Sequence, residues 1–246
     1  MNQLLGQVAV VTGASSGIGK AIARTFAAEG AAAVVLAARN GERLAAVAAE
    51  IESEQRETKT LVVPTDVTSE ADVFRLFERA LQTFGRLDVL VNNAGVSAST
   101  PTDELSLEEW KKVLDVNLTG AFLCSREALR VMKTRRAGRI LNIGSVSARV
   151  PRRNSAAYAA SKFGLEGLTR SLALDAREFG IAVSILHPGN TESDLWVGRE
   201  DIARREGVMP AEELSRVAVL MAALPPEINF LEGVVLPVKM PFLGRG

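Results

Sequence analysis

Three side chains with complementary chemistry, Ser145, Tyr158 and Lys162, lie close together in the second half of the chain. A tyrosine and a lysine four residues apart share one face of a helix. An unperturbed tyrosine has a pKa near ~10, which is too high for proton exchange at neutral pH, and a nearby ammonium lowers it. A serine hydroxyl at a strand end holds a carbonyl oxygen while the tyrosine protonates it. These residues predict acid–base chemistry at a carbonyl or alcohol oxygen.

A Tyr–Lys pair at this spacing is also common on helices that have no catalytic role. Whether this pair is catalytic therefore has to be judged from the elements around it. The apolar run Ile140–Ile143 predicts a buried strand that leads into Ser145, and a basic loop precedes the helix. Arg149, Arg152 and Arg153 of this loop either border an acidic substrate or belong to a solvated loop or a subunit contact.

The glycine-rich segment Thr12–Lys20, T-G-A-S-S-G-I-G-K, lies between the apolar strand Val8–Val11 and an alanine-rich helix. Gly13 allows a tight turn, and Gly17 and Gly19 let a ligand and the sheet approach the backbone. The free N–H groups of a helix N-terminus bind a pyrophosphate. The segment therefore predicts a dinucleotide-binding turn.

A P-loop is excluded because it requires glycine at position 14 and serine or threonine at position 21, where the chain has Ala14 and Ala21.

The next apolar strand, Ala33–Ala38, ends in Arg39 and Asn40, with Arg43 close behind. An acidic residue here is usual for the ribose 2′-hydroxyl of NAD, whereas an arginine suits the 2′-phosphate of NADP. We therefore expect NADP(H) to be preferred over NAD(H). The alternative is a solvated helix N-terminus.

Further apolar runs alternate with helical segments along the whole chain. The predicted strands are Thr60–Val63, Leu87–Val91, Ala182–Leu186 and Val234–Val238. The alternation predicts an α/β fold, a single Rossmann-type domain over residues 1–246, with a doubly wound parallel sheet of about seven strands and helices on both faces. The polar, basic residues 190–208 are interpreted as an irregular substrate lid.

Composition excludes several classes of function. Lys+Arg and Asp+Glu both number 29, which argues against binding to nucleic acid or to anionic membranes. Cys124 and His187 are the only residues of their types, so we expect no metal site, and we interpret His187 as structural. No signal peptide and no membrane span are evident, which predicts a cytoplasmic protein.

The chain resembles the short-chain dehydrogenase/reductase family over essentially its whole length. The resemblance rests on T-G-A-S-S-G-I-G at 12–19, Asp66, N-N-A-G at 92–95, Asn117, Ser145, Y-A-A-S-K at 158–162 and P-G at 188–189. It implies a seven-stranded Rossmann-type sheet, a nicotinamide cofactor, and a homotetramer or homodimer.

The resemblance also implies roles for individual residues. Tyr158 would be the general acid or base, and Lys162 would bind the nicotinamide ribose and lower the pKa of the tyrosine. Ser145 would orient the substrate oxygen, and Asn117 would hold a water that links Lys162 to solvent. The implied cofactor-binding residues are Gly13, Ser15, Ser16, Gly17, Ile18, Gly19, Arg39, Asp66, Val67, Asn93, Ala94, Gly95, Tyr158, Lys162, Pro188, Gly189 and Thr191. Ser193 replaces a threonine that is often found after P-G.

The expected activity is NAD(P)(H)-dependent interconversion of a carbonyl and a secondary alcohol, as in an alcohol dehydrogenase or carbonyl reductase acting on a small molecule. Two alternatives lie within the family, a hydroxy-acid dehydrogenase and a 3-oxoacyl-thioester reductase. A third alternative is a non-catalytic NADP-binding protein that senses redox state. Such proteins tend to lose the Tyr or the Lys, and this chain has both.

Overall fold

The fold is built on a seven-stranded sheet in which every strand pairs in parallel with its neighbours. The computed structural model describes residues 2–193 and 200–242. The strands are β1 Val8–Thr12, β2 Ala33–Ala38, β3 Lys59–Pro64, β4 Val89–Asn92, β5 Gly138–Ile143, β6 Ile181–Pro188 and β7 Glu232–Val235. Their spatial order is β3-β2-β1-β4-β5-β6-β7. The chain order reverses between β1 and β4, and open α/β sheets bind ligands at such a switch point.

The central strands are apolar on both faces because helices cover the sheet on both sides. The helices are α1 Gly17–Ala28, α2 Gly41–Glu54, α3 Glu70–Phe84, α4 Leu107–Leu114, α5 Gly120–Arg135, α6 Ala156–Ala176, α7 Glu200–Glu206 and α8 Ala211–Ala223. One core packs α1, α2 and α8 against the sheet, and the other packs α3, α5 and α6 against its opposite face. The predicted doubly wound sheet is confirmed.

The helices α2, α3 and α4 each begin at a polar residue whose side chain caps the helix. Asn40 accepts a hydrogen bond from the backbone N–H of Arg43, Ser69 from that of Asp72, and Ser106 from that of Glu109. These short polar side chains satisfy backbone donors that have no partner inside the helix.

Between α4 and α5 the regular α-helical hydrogen bonding is interrupted. Residues Asp115–Thr119 form a π-helical turn, in which the N–H of Gly120 bonds to the carbonyl of Asp115. Such turns insert one extra residue into a helix and are frequent at functional sites. Asn117 lies inside this turn.

The region predicted as an irregular lid is partly ordered in the described residues. Thr191 pairs with Met209 in an isolated parallel bridge, and α7 occupies Glu200–Glu206. The remaining part of the predicted lid, residues 194–199, lies outside the described residues. The irregular interpretation was therefore wrong for 200–206.

The helices also show how Cys124 is placed and whether any helix could span a membrane. Cys124 is buried on α5, and burial raises the pKa of its thiol to about 12. It therefore packs as a small apolar side chain. None of the helices within residues 2–193 and 200–242 is long and apolar enough to cross a lipid bilayer.

Candidate functional site

A cleft of about 940 Å³ opens at the carboxyl ends of the strands, over the switch point between β1 and β4. It is bordered by the turn after β1, the ends of β2 to β6, and one face of α6. The sequence-predicted residues that line it are Gly13, Ser15, Ser16, Gly17, Ile18, Arg39, Asp66, Val67, Asn93, Ala94, Gly95, Tyr158, Lys162 and Pro188.

Five other predicted residues lie beside the cleft rather than in its lining. Ser145 follows the lining residue Gly144 and is 7% exposed, and Asn117 is 2% exposed. Gly19 packs inward, where an added Cβ would lie 2.3 Å from the carbonyl oxygen of Gly13. Gly189 packs on Met240, and the Thr191 hydroxyl donates to the carbonyl of Gly189.

Several lining residues were not among the predicted site residues. They are Ala38, Asn40, Arg43, Thr65, Thr68, Val96, Lys112, Asp115, Val116, Ile143, Gly144 and Ser193. Most of them adjoin a strand end, so their position at the carboxyl edge of the sheet was a usable signal. Lys112, Asp115 and Val116 come from α4 and the π turn, and only the packing of these elements brings them to the cleft.

The N-terminus of α1 has the backbone conformation and the free donors that suit an anion-binding site. Gly13 and Gly17 have φ of +66° and +50°, a backbone conformation that glycine adopts without strain. Ser16 occupies the N-cap position, but its side chain makes no capping bond in the described part of the chain, and the first turn has no acidic residue. The backbone N–H groups of this turn therefore face the cleft uncapped, in contrast to those of α2, α3 and α4.

The loop after β4 is fastened to the glycine turn by Asn93. Its side-chain amide donates to the carbonyls of Thr12, at 3.0 Å, and Gly13, at 3.2 Å. The Thr12 hydroxyl in turn accepts from the backbone N–H groups of Asn93 and Ala94. Asn93 therefore shapes the cleft by holding two of its walls together.

A buried polar chain supports the floor of the site. The Asn92 amide donates to Ser125 at 2.9 Å and to Asn142 at 2.8 Å, and the Asn142 amide donates to Thr169 at 2.8 Å. Together these bonds tie β4, β5, α5 and α6 to one another. Asn92, the first asparagine of N-N-A-G, therefore has a structural role.

Tyr158 and Lys162 come from the first half of α6. Lys162 is only 5% exposed, and its ammonium lies 5.7 Å from the centroid of the Tyr158 ring. The Lys162 Nζ donates to the carbonyl of Ile143 at 2.8 Å. Burial lowers the pKa of Lys162 to about 8. The site therefore holds a desolvated ammonium beside a phenol, and a poorly screened charge acts strongly on its neighbours.

Ser145 leaves β5 in an extended conformation, with φ −170° and ψ 151°, and caps the short 3₁₀ turn Val146–Ala148. Its Oγ accepts from the N–H of Ser147 at 3.1 Å. This bond uses one acceptor lone pair and leaves the hydroxyl proton to be donated.

The Asn117 side chain is committed to protein partners. Its amide donates to the carbonyl of Val96 at 2.9 Å and to the Ser161 hydroxyl at 3.0 Å, and its Oδ1 accepts from the N–H of Val96 at 2.8 Å. Both amide hydrogens are therefore used. Asn117 connects the π turn to α6 one residue before Lys162.

Two arginines of the basic loop pair with carboxylates of the protein. Arg149 forms ion pairs with Glu232 and, at 3.6 Å, with Glu166. Arg152 pairs with the nearly buried Glu206 at 2.5 Å. Arg153 is exposed. The alternative in which these arginines border an acidic substrate is therefore not supported for Arg149 and Arg152, because carboxylates of the protein already pair with them.

Comparison with known proteins agrees with this geometry. A short chain dehydrogenase family model matches residues 7–202. A 3-oxoacyl-[acyl-carrier-protein] reductase from Synechocystis sp. is 40% identical over 195 residues, which cover 79% of this chain and 78% of that protein. A cis-4-hydroxycyclohexanecarboxylate dehydrogenase from Sinomonas cyclohexanicum is 38% identical over 241 residues, 94% of each chain.

A solved structure is similar over nearly the whole chain. It is a 3-ketoacyl-(acyl-carrier-protein) reductase from Brucella melitensis complexed with NADH, with a TM-score of 0.86 and 32% identity, covering 94% of this chain and 97% of that one. Taken with the sequence matches, it shows that the chain belongs to the short-chain dehydrogenase/reductase family of NAD(P)(H)-dependent oxidoreductases.

Proposed function

We propose that this oxidoreductase prefers NADP(H) and interconverts a carbonyl and a secondary alcohol, with Tyr158 as the group that donates or accepts the proton. The observation that carries the proposal is the buried Lys162 ammonium, 5.7 Å from the Tyr158 ring, at the wall of the cleft. A neighbouring positive charge brings a phenol closer to the pKa that proton transfer at neutral pH requires.

The described residues fit a dinucleotide. The uncapped start of α1 offers backbone donors to a pyrophosphate. Asp66 and Val67 line the cleft beyond β3, where a carboxylate and an apolar side chain suit an adenine ring. Pro188 and Ser193 line the cleft beyond β6. Gly95 lines the same cleft just after β4, which lies between β3 and β6 in the sheet, so one extended ligand would contact all of these residues.

The nicotinamide cofactor, when bound, supplies or accepts the hydride at the carbonyl carbon. The chain supplies the rest of the chemistry. Tyr158 donates its phenolic proton to the carbonyl oxygen during reduction and takes a proton from the alcohol during oxidation. Lys162 stabilises the phenolate that forms, and the Ile143 carbonyl holds its ammonium in place. Ser145 donates its hydroxyl proton in a hydrogen bond to the substrate oxygen.

We propose that Asn117 helps to hold the proposed catalytic residues in place through its hydrogen bonds and does not itself take part in proton transfer. Its side chain bonds to Val96 and Ser161, so it fixes the segment beside Gly95 and the helix that carries Tyr158. Because both of its amide hydrogens are used, a water linking Lys162 to solvent could not accept a hydrogen bond from this side chain.

Preference for NADP(H) is supported by the residues after β2. Arg39, Asn40 and Arg43 all line the cleft, at the N-terminus of α2. An arginine favours a 2′-phosphate, and no acidic residue stands at positions 39 or 40 to repel it, although Glu42 lies in the first turn of α2.

Two substrate classes are supported by the names of relatives. One relative is a 3-oxoacyl-[acyl-carrier-protein] reductase and another a cis-4-hydroxycyclohexanecarboxylate dehydrogenase. Initial rates with a 3-oxoacyl thioester, keto acids and their neutral esters, each with NADPH and NADH, distinguish these classes. A keto acid that reacts no faster than its ester argues against recognition of a carboxylate.

The decisive experiment for the proposed chemistry is Tyr158→Phe. Loss of the only tyrosine hydroxyl in the chain is expected to lower kcat by about 10²- to 10⁴-fold, with the dissociation constant of NADPH unchanged. Ser53→Ala removes an exposed hydroxyl on α2 and serves as the control. Undiminished turnover by Tyr158→Phe contradicts the proposal. Cofactor binding without turnover of any carbonyl by the unmodified protein supports a redox sensor instead.

We also propose a homotetramer or homodimer formed through α5 and α6. Phe122, Phe163 and Leu174 on these helices are 40%, 48% and 64% exposed. Large apolar side chains exposed on neighbouring helices are typical of an association surface. Cytoplasmic location, the absence of a nucleic-acid partner and the absence of a metal remain predictions from the sequence.

A further inference from the structure

The single histidine contacts the backbone of Ser145 directly. His187 lies in β6 with its ring fully buried. Its Nδ1 is 2.9 Å from the carbonyl oxygen of Ser145 and 3.3 Å from the Ser145 amide nitrogen. Neighbouring Gly144 leaves room for this contact, since a Cβ there would lie 2.6 Å from Nδ1. The ring is therefore packed against the residue that carries the serine hydroxyl.

The other ring nitrogen faces two carboxylates. His187 Nε2 has no hydrogen-bond partner among the described residues, and it lies 3.7 Å from Glu232 Oε1 and 3.9 Å from Glu166 Oε2. Arg149 and Arg170 pair with both of these carboxylates, so two guanidinium groups balance the two negative charges.

This balance argues against a cation at the cluster. Potential ligand atoms of Glu166, His187 and Glu232 lie within 4.8 Å of one another. A divalent ion would, however, join a group whose carboxylates already accept from Arg149 and Arg170. We therefore interpret the two carboxylates by their effect on which ring nitrogen of His187 carries the proton.

The surroundings distinguish the two neutral tautomers of His187. The Ser145 carbonyl already accepts from the N–H of Ala148 at 2.9 Å, and thus does not need a second donor. The Ser145 N–H has only His187 Nδ1 as a partner among the described residues, and a buried unpaired N–H is unfavourable. The carboxylates favour a proton on Nε2 over a lone pair. The Ser145 N–H and the two carboxylates therefore favour Nδ1 as acceptor and a proton on Nε2, whereas the 2.9 Å contact between Nδ1 and the Ser145 carbonyl oxygen favours a proton on Nδ1.

The ring is expected to be neutral at pH 7. Burial lowers the pKa of His187, although the Ser145 carbonyl and Glu166 raise it; Arg149 and Lys162 lower it further. Neutrality is required for the acceptor role, because a protonated imidazole has no lone pair to accept with.

We propose that His187 is a positioning residue for Ser145: as the Nε2–H tautomer, which the neighbouring Glu166 and Glu232 favour, it accepts the Ser145 N–H and holds that residue extended. The inference rests on the proposed role of Ser145 in orienting the substrate oxygen. Loss of the acceptor lets the backbone of Ser145 move, and the Oγ moves with it.

The tautomer can be observed directly because His187 is the only histidine. In tag-free ¹⁵N-labelled protein at pH 7, two-bond correlations between ring protons and ring nitrogens report which nitrogen carries the proton. The expected result is a protonated Nε2 and a bare Nδ1. A proton on Nδ1, alone or together with one on Nε2, overturns the proposal, and this measurement requires no variant to fold.

Two substitutions test the consequence for turnover. His187→Leu keeps an apolar volume without an acceptor and is expected to lower kcat about tenfold, equivalent to about 1.4 kcal/mol in barrier height, with the dissociation constant of NADPH within twofold. His187→Asn places an amide oxygen near the position of Nδ1 and is expected to recover most of that loss. Wild-type kcat in His187→Leu, or equal losses in both variants, overturns the proposal.

Ser145→Ala separates this inference from the proposed function on which it rests. If Ser145→Ala turns over like the wild type, the proposed role of the serine fails, whatever the tautomer. If Ser145→Ala is nearly inactive but His187→Leu is not impaired, only the positioning role of His187 fails.

Discussion

The ammonium of Lys162 donates to the backbone carbonyl of Ile143 across 2.8 Å, which joins the helix that carries Tyr158 to the strand that leads into Ser145. The same ammonium is the charge nearest to the Tyr158 ring among the cation–ring contacts of the described residues. One side chain therefore links the helix of the proposed acid, Tyr158, to the strand that leads into Ser145, and it supplies the positive charge that we propose to stabilise the phenolate of Tyr158.

Lys162→Met is expected to change how stability depends on pH. The pKa of Lys162 is lowered from 10.5 to about 8 in the folded state by burial. Between these values the unfolded chain binds more protons, so wild-type stability should rise with pH from about 8 to 10.5. The methionine variant lacks this rise. The stability of the wild type relative to Lys162→Met should therefore increase by roughly 2–3 kcal/mol over this interval.

The measurement is urea unfolding of the cofactor-free proteins at pH 7, 8, 9 and 10. Lys59→Met, at an exposed position on β3, is the control and is compared in the same way. A relative stability that is flat with pH at position 162 contradicts the buried-charge account.

Arg39→Asp is expected to reverse cofactor preference. Arg39 lines the cleft at the start of α2, and a charge-assisted bond contributes about 1.5–3 kcal/mol. The kcat/KM for NADPH should fall about 10- to 100-fold, while that for NADH is retained or rises. Arg56→Asp makes the same charge change at an exposed position and is the control. An equal loss of kcat/KM with NADPH and NADH would show that Arg39 does not bind the 2′-phosphate.

Arg152→Met is expected to destabilise the fold by about 1–3 kcal/mol, because the Glu206 carboxylate, whose side chain is 5% exposed, loses its 2.5 Å ion pair while it keeps its contacts with Asn190 and Arg205. The Arg152 side chain is itself 29% exposed, which keeps the loss below that of a fully buried pair.

A double-mutant cycle with Glu206→Gln isolates the pair, with an expected coupling of about 1–2 kcal/mol. Arg216→Met is the control: its side chain is 73% exposed and pairs with Glu213, which is 57% exposed, so a loss under about 0.5 kcal/mol is expected. Zero coupling between positions 152 and 206 would show that the contact does not contribute to stability.

Phe163→Glu is expected to dissociate the proposed oligomer, because it places a charge on an apolar surface of α6. Light scattering coupled to size exclusion gives the mass directly. Leu5→Glu, at a residue that is 71% exposed and far along the chain from α5 and α6, should leave the mass unchanged. A wild-type monomer, or an unchanged mass in Phe163→Glu, argues against this interface.

Much of the fold was predictable because its signals are local. Strand β2 matches its predicted bounds, since an unbroken apolar run acts within a few residues. The serine caps at 69 and 106 are equally local, because each accepts a hydrogen bond from a backbone N–H three residues further along the chain. The shift of the last strand from Val234–Val238 to Glu232–Val235 shows the limit, because its register is set by pairing with β6.

In the candidate site, too, the features that depend on neighbouring residues were predictable and the contacts between distant residues were not. The spacing of Tyr158 and Lys162, and the glycine turn before α1, were determined by the sequence itself, because helical periodicity and backbone freedom are properties of neighbouring residues. The tertiary structure alone decided that Arg149 and Arg152 pair with internal carboxylates. It also decided that Asn117 lies in a π turn and that His187 meets Ser145. The partners in these contacts are distant along the chain, and only the packed sheet and helices bring them together.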